Sequence, residues 1–231
     1  KNSLNTALPD KLKLQFENLS NSANLSNLEF TNYRPIIKDF LLKPALNIGI
    51  VNALRDTDGI NRHTPLLFKY KDDFYPYLSF KVAQDYIQRH EKLKQDKEKI
   101  VLDKNNKLIL GSRKIQLNNN ALAIMNWYGP GGTFQYIPFW QLVKSIKDKD
   151  IGKKPIIPAE YFRDKIVFIG VSAVSLFDVK SIPLDNAYPG VEIQATVTNN
   201  VIDNNFVKKT NRSFNSLICV VLAIITCFSV L

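Results

Sequence analysis

Few residues in this chain could carry chemistry. Among its 231 residues there are only two histidines, His63 and His90, and both cysteines, Cys219 and Cys227, lie inside an apolar C-terminal stretch. A Ser-His-Asp triad or a histidine metal site would need one of those histidines in a pocket, and the spacing supports neither. Gly170-Val171-Ser172-Ala173-Val174 has the outline of a nucleophile elbow, but Val174 stands where that motif needs glycine, so Ser172 reads as a turn residue or hydrogen-bond donor. Asp178 and Glu192 could form an acid pair after folding. Alternatively, Asp178 pins its loop and Glu192 occupies the first turn of a helix, where the dipole favours a carboxylate. Asp58 and Arg62 are expected to pair across a turn. Gly129-Pro130-Gly131-Gly132 lacks the Lys-Ser/Thr and following helix of a phosphate-binding loop and reads as a plain turn. The sequence assigns no catalytic residue, metal site or cofactor. Ser172, Asp178, Asp58, Arg62 and Glu192 remain as candidates for contacting a ligand.

The elements that would position these residues follow from apolar periodicity. Ile166-Val167-Phe168-Ile169 is short, β-branched and aromatic, which predicts a buried strand ending at Gly170. After the Pro183 loop and Pro189-Gly190, a helix is expected from Val191, because Ile193, Val197 and Val201 recur every four residues and share one face. Together, Asp164 to Val201 reads as one α/β unit, with its ligand end beside the strand's carboxyl terminus. Upstream, Gly49–Val51 and Pro65–Tyr70 predict strands around the Asp58-Gly59 turn, and a helix is expected from Ser79 to about Lys94. Ile100–Leu102, Leu108–Leu110, Gly111–Leu117 and Ala123–Tyr128 predict further strands, and Phe139–Lys147 a helix. The fold class is α/β, a mixed sheet with flanking helices, followed by the start of a transmembrane helix.

The net charge of +10 raises nucleic acid or an anionic membrane as partners. Basic residues are interleaved with acidic ones, as in Arg89 to Lys99, and there is no zinc-finger spacing or RNA-binding signature, so nucleic acid is set aside. Phe214 to Leu231 carries no charge over 18 residues, which meets the lower limit for a membrane-spanning helix, and it is apolar on every face. Outside that stretch there is no cysteine, hence no disulfide framework. Lys208, Lys209 and Arg212 flank the apolar stretch on the side that a translocated domain would occupy, against the usual charge bias, although long domains translocate regardless.

The order of these motifs resembles the CHASE2 domain family. Gly49, Asn52, Asp56-Thr57-Asp58-Gly59-Ile60-Asn61-Arg62 and Pro65-Leu66 are similar to one block of that family, and Tyr75–Phe80 to its entry into a helix. Asn126-Trp127-Tyr128-Gly129, Asp164–Ala173, and Asp178 with Pro183 and Pro189–Ala195 complete the series over roughly 150 residues. Gln194 replaces the family's usual histidine, and Ile182-Pro183 its common Thr-Pro. The family's N-terminal motifs are not recognisable, so the chain is expected to begin partway through such a domain. The resemblance implies an extracytoplasmic (periplasmic or extracellular) sensor at residues 1–210 of a bacterial membrane receptor, with the first following transmembrane helix at 213–231. The implied output is a cytoplasmic adenylate or guanylate cyclase or a protein kinase. The ligand is an undefined small molecule or envelope component, and a homodimer through the receptor is possible. Two other readings stay open: an α/β hydrolase-like enzyme using Ser172 and Asp178, and an envelope-binding module without signalling.

Overall fold

The computed structural model describes residues 16–19, 49–52, 54–70, 73–91, 100–171, 178–210 and 212–230. Its strands are short and fall into four small sheets instead of one large one. The largest has the order β1-β5-β6-β7, formed by β1 (Phe16–Leu19), β5 (Ile100–Leu102), β6 (Lys107–Leu110) and β7 (Arg113–Gln116), with β1 parallel to β5 and the rest antiparallel. The β5–β6 turn forms where expected, because Asp103 accepts hydrogen bonds through Oδ1 from the Asn105 and Lys107 amides, both at 2.8 Å. Alternate residues Ile100, Leu102, Leu108, Leu110 and Ile115 point into the core, at 1% exposure or less.

The segment expected as one strand from Pro65 to Tyr70 is broken at Leu66. Its first part, β2 (His63–Pro65), pairs with β8 (Leu122–Ile124), and its second, β3 (Leu67–Tyr70), forms a hairpin with β4 (Asp73–Pro76). Gly49–Val51 contributes only a parallel bridge between Ile50 and Tyr77. There the two backbones run so close that a Cβ on Gly49 would lie 2.3 Å from the Leu78 Cα. Ala123–Tyr128 keeps its ladder only as far as Ile124.

Helix α1 (Leu78–Glu91) buries Ser79, Phe80, Ala83, Gln84 and Ile87, a single stripe at helical spacing. Helix α2 (Phe139–Asp150) begins as expected and ends at Gly152, whose φ of 72° lets its amide reach the Lys149 carbonyl at 3.0 Å. Strands β9 (Val179–Ile182) and β10 (Asp185–Pro189) form a hairpin leading into α3 (Gly190–Ile202). The stripe Ile193, Val197 and Val201 is buried as its spacing predicts, and α3 packs against α1.

Two expectations require correction. Residues 166–169 do not form a strand: they are assigned to no sheet, and Val167 and Ile169 are 53% and 76% exposed. An apolar run reports a local preference, whereas a strand needs a partner for its amides and carbonyls, and the hairpin β9–β10 holds the place beside α3 instead. The second concerns the apolar C-terminal stretch. It does fold as a helix, α4 (Arg212–Val230), with every described side chain from Ser213 to Phe228 exposed. Its 19 residues measure about 28 Å, against roughly 30 Å of bilayer hydrocarbon. Among the described residues no helix is long and apolar enough to cross a membrane.

The contact at Gly49 yields a direct test. Gly49→Ala forces a methyl group into the Leu78 backbone, so we expect chemical denaturation to show a loss of about 1–3 kcal/mol.

Candidate functional site

Helix α3 is buried along nearly its whole length, including five polar side chains: Glu192, Gln194, Thr196, Thr198 and Asn200. A buried polar group without a partner is costly, so each of these positions specifies a neighbour. In the first turn, the Glu192 carboxylate, 2% exposed, accepts three hydrogen bonds from one loop. The donors are the Gly132 amide at 3.1 Å, the Phe134 amide at 3.0 Å and the Tyr136 hydroxyl at 2.7 Å. Burial, reinforced by this carboxylate, pushes the Tyr136 hydroxyl well above its ordinary pKa. The glycine cluster is thus a turn, as expected, and its second anchor is Asp185, which accepts from the Gly131 amide at 2.9 Å. The Ala187 and Gly131 amides hold the Asp185 carboxyl below the usual carboxylate range.

Two residues on, the Gln194 side chain bridges to the start of α1. It donates to the Tyr77 hydroxyl at 2.7 Å and accepts from Ser79 Oγ at 2.5 Å, while Thr198 Oγ1 donates to the Ser79 carbonyl at 3.2 Å. Burial pushes the Tyr77 hydroxyl up to about 12, with the nearby Asp178 charge acting in the same direction and Gln194 opposing it. Further along, Asn200 accepts from the Asn126 amide at 2.8 Å and donates to the Asn126 carbonyl at 3.0 Å.

Asp178 lies at the same end of α3 as Glu192 but does different work. Its side chain is half exposed, 3.6 Å from Lys180 Nζ, and its carbonyl accepts from the Gly190 amide at 2.8 Å. The carboxylate sits so tightly on Gly190 that a Cβ there would come within 2.4 Å of an oxygen. Asp178 therefore pins its loop and Glu192 fills the first helical turn, in place of an acid pair. Gly170 also approaches this end, where a Cβ would lie 2.6 Å from Val191 Cβ. Ser172 lies outside the described residues.

Asp58 and Arg62 do pair, at 2.8 Å, in a turn whose Gly59 adopts a φ of 82°. The Ile60 amide and then Arg62 lower the Asp58 pKa. The sequence did not single out the rest of this group: Asp56 bonds both Arg62 at 3.3 Å and His63 Nδ1 at 2.8 Å. Asn61 ties the turn to β9, its amide and side-chain nitrogen both donating to the Ser181 carbonyl at 2.8 and 2.9 Å. The candidates therefore form two stations joined through β9, one on the Asp56–His63 turn and one at the head of α3. Among the described residues no group of three His, Cys, Asp or Glu side chains is placed to hold a metal ion.

The model of the CHASE2 domain family matches residues 3–231. The chain belongs to the CHASE2 family. The match takes in both the polar N-terminal residues, whose motifs alone placed nothing, and the apolar helix α4. No curated protein and no solved structure matches the chain. CHASE2 domains are extracytoplasmic sensor domains of receptors, so this chain belongs to a sensory family. The position where the CHASE2 resemblance expects histidine is the one from which Gln194 joins α3 to α1.

Two measurements probe this CHASE2 domain's interior. Glu192→Gln retains the shape but weakens three charge-assisted bonds, so the melting temperature should fall by roughly 4–8 °C, about 2 kcal/mol. Tyr77 has a folded pKa raised above its unfolded value, so its contribution is complete below pH 10 and disappears as the pH rises through about 12. Alkaline denaturation should therefore set in across that window, and Tyr77→Phe should flatten the decline.

Proposed function

We propose that this chain is the signal-input module of a bacterial membrane receptor, and that α3 is the element through which a bound ligand displaces the membrane-side helix. One observation carries this reading: the same helix bears the half-exposed Asp178 station at its first turn and the connector to α4 at its last. The connector is not a loose tether. Phe206 is buried at 7% exposure, the Asn205 amide donates to the Asn200 carbonyl at 2.9 Å, and the Val207 amide donates to the Ile124 carbonyl at 3.0 Å. A shift of α3 is thereby transmitted to the residues just before α4 instead of being absorbed.

Asp178, with Asp58 and Arg62 on the adjoining turn, is the proposed contact for a small-molecule or envelope ligand; Ser172 joins them on its sequence motif alone. Glu192 supports them from beneath by fixing the Gly132–Tyr136 loop. A ligand drives output only by binding one arrangement of α3 more tightly than the other. Helix α4 supports membrane seating through its wholly apolar exposed surface from Leu217 to Ile225, which no described residue covers. The domain then lies outside the cytoplasmic membrane, and the output beyond it is a cyclase or kinase, assembled as a homodimer.

Inserting a flexible Gly-Ser segment between Lys208 and Lys209 of the receptor tests the lever. The expected result is that ligand binding survives while stimulus-dependent output is lost. Unchanged signalling would sink the proposal.

A further inference from the structure

Helix α2 is amphipathic in the inverted sense. The side turned into the protein is mostly polar, Gln141, Ser145 and Asp148 beside a half-buried Leu142: Ser145, only 4% exposed, donates through Oγ to the Gln141 carbonyl at 2.7 Å and accepts from the Ile157 amide at 2.9 Å. The outward side carries Phe139 at 62% exposure, Trp140 at 60%, Val143 at 36% and Ile146 at 54%. At about 100° per residue, Ile146, Phe139, Val143, Lys147 and Trp140 follow one another within an arc of about 120°. Together with Lys144, all but Ile146 line a shallow open cleft of about 490 Å³. A water-facing helix in a soluble environment would place these side chains the other way round.

The charges around this face indicate what covers it. Residues 139–154 hold five lysines (144, 147, 149, 153 and 154) and two aspartates (148 and 150), a net +3 within a chain of net +10. A second copy docking face to face would bring +3 against +3 and would have to desolvate Lys147 in the middle of the apolar arc. A bilayer surface imposes neither cost. On such a surface Phe139, Val143 and Ile146 would enter the acyl boundary, the Trp140 ring would take the interfacial position that tryptophan favours, and Lys144 and Lys147 would extend their stems past the rings to phosphate oxygens.

We propose that α2 lies on the outer face of the membrane as an interfacial helix that binds anionic lipid headgroups. The proposal rests on the reading that α4 brings a bilayer next to this domain. It adds a consequence to that reading. Tyr136 stands three residues before α2 and is bonded to Glu192 in the first turn of α3. The surface charge of the bilayer therefore acts on the same helix as the ligand, from the opposite face of its first turn.

The test uses the full chain, reconstituted in vesicles of phosphatidylcholine alone or with phosphatidylglycerol added. The chain has two tryptophans, so a Trp140→Phe variant supplies the Trp127 background. With phosphatidylglycerol present, Trp140 emission should shift to the blue and be quenched by lipids brominated near the headgroup. K144E/K147E should lose most of that quenching while keeping its far-ultraviolet circular dichroism. Identical Trp140 emission in both bilayers and in detergent would overturn the proposal. So would protection of Trp140 in detergent that grows with protein concentration, which would mark a second copy as the occupant. Seating of α4 is read separately, by whether alkaline carbonate strips the chain from the vesicles. If it does, while Trp140 quenching on anionic vesicles persists, the reading of α4 fails and this one stands.

Discussion

The structure depends on one requirement: a helix buried on most of its faces must find a partner for every polar side chain it takes inside. Helix α3 carries five such side chains, and between them they reach four different parts of the chain. Glu192 fixes the loop before α2, Gln194 and Thr198 fix the start of α1, Thr196 meets the Tyr188 hydroxyl at 3.1 Å, and Asn200 fixes the strand end at Asn126. An apolar helix in the same place would pack as well and specify less. Hydrophobic contact tolerates sliding, whereas a carboxylate held by three donors does not.

That arrangement also explains how a domain built from small sheets behaves as one body. None of the two-stranded ladders would be stable alone. They become so by burial in the shared core and by bonds such as Asn61 to the Ser181 carbonyl, while Arg113 Nε of the four-stranded sheet ties to the Ile202 carbonyl at 2.6 Å. The far end of α3 is also tied down, by Asn200 to Asn126 and by the Asn205 amide to the Asn200 carbonyl. This is the mechanical property a sensor needs if an event at one end is to be felt at the other.

Much of this was legible in the residues. The stripe Ile193, Val197 and Val201 announced α3, the pattern from Ser79 to Ile87 announced α1, and Asp58-Gly59 announced its turn, because those signals are local. The order of motifs was enough to indicate the CHASE2 family. What could not be read was the choice of partner. Ile166–Ile169 has every local mark of a strand and no ladder, because a ladder also needs a partner strand that local sequence does not specify. The roles of Gln194, Asn200 and Tyr136 were equally hidden, since a polar residue on a helix looks the same whether it faces water or a neighbour. Gln194 drew notice only as a departure from the family's histidine, and the inverted face of α2 was concealed because its amphipathic spacing looked ordinary.

The central claim is that α3 and the connector up to Val207 form a single mechanical unit. Native-state hydrogen exchange resolved by residue measures this directly. The account predicts that the amides of Val197, Val201, Asn205 and Val207 exchange with one shared opening free energy, close to that of global unfolding. Exchange at Asn205 and Val207 by a separate, much cheaper local opening would show that the connector moves independently of the helix, and would contradict it.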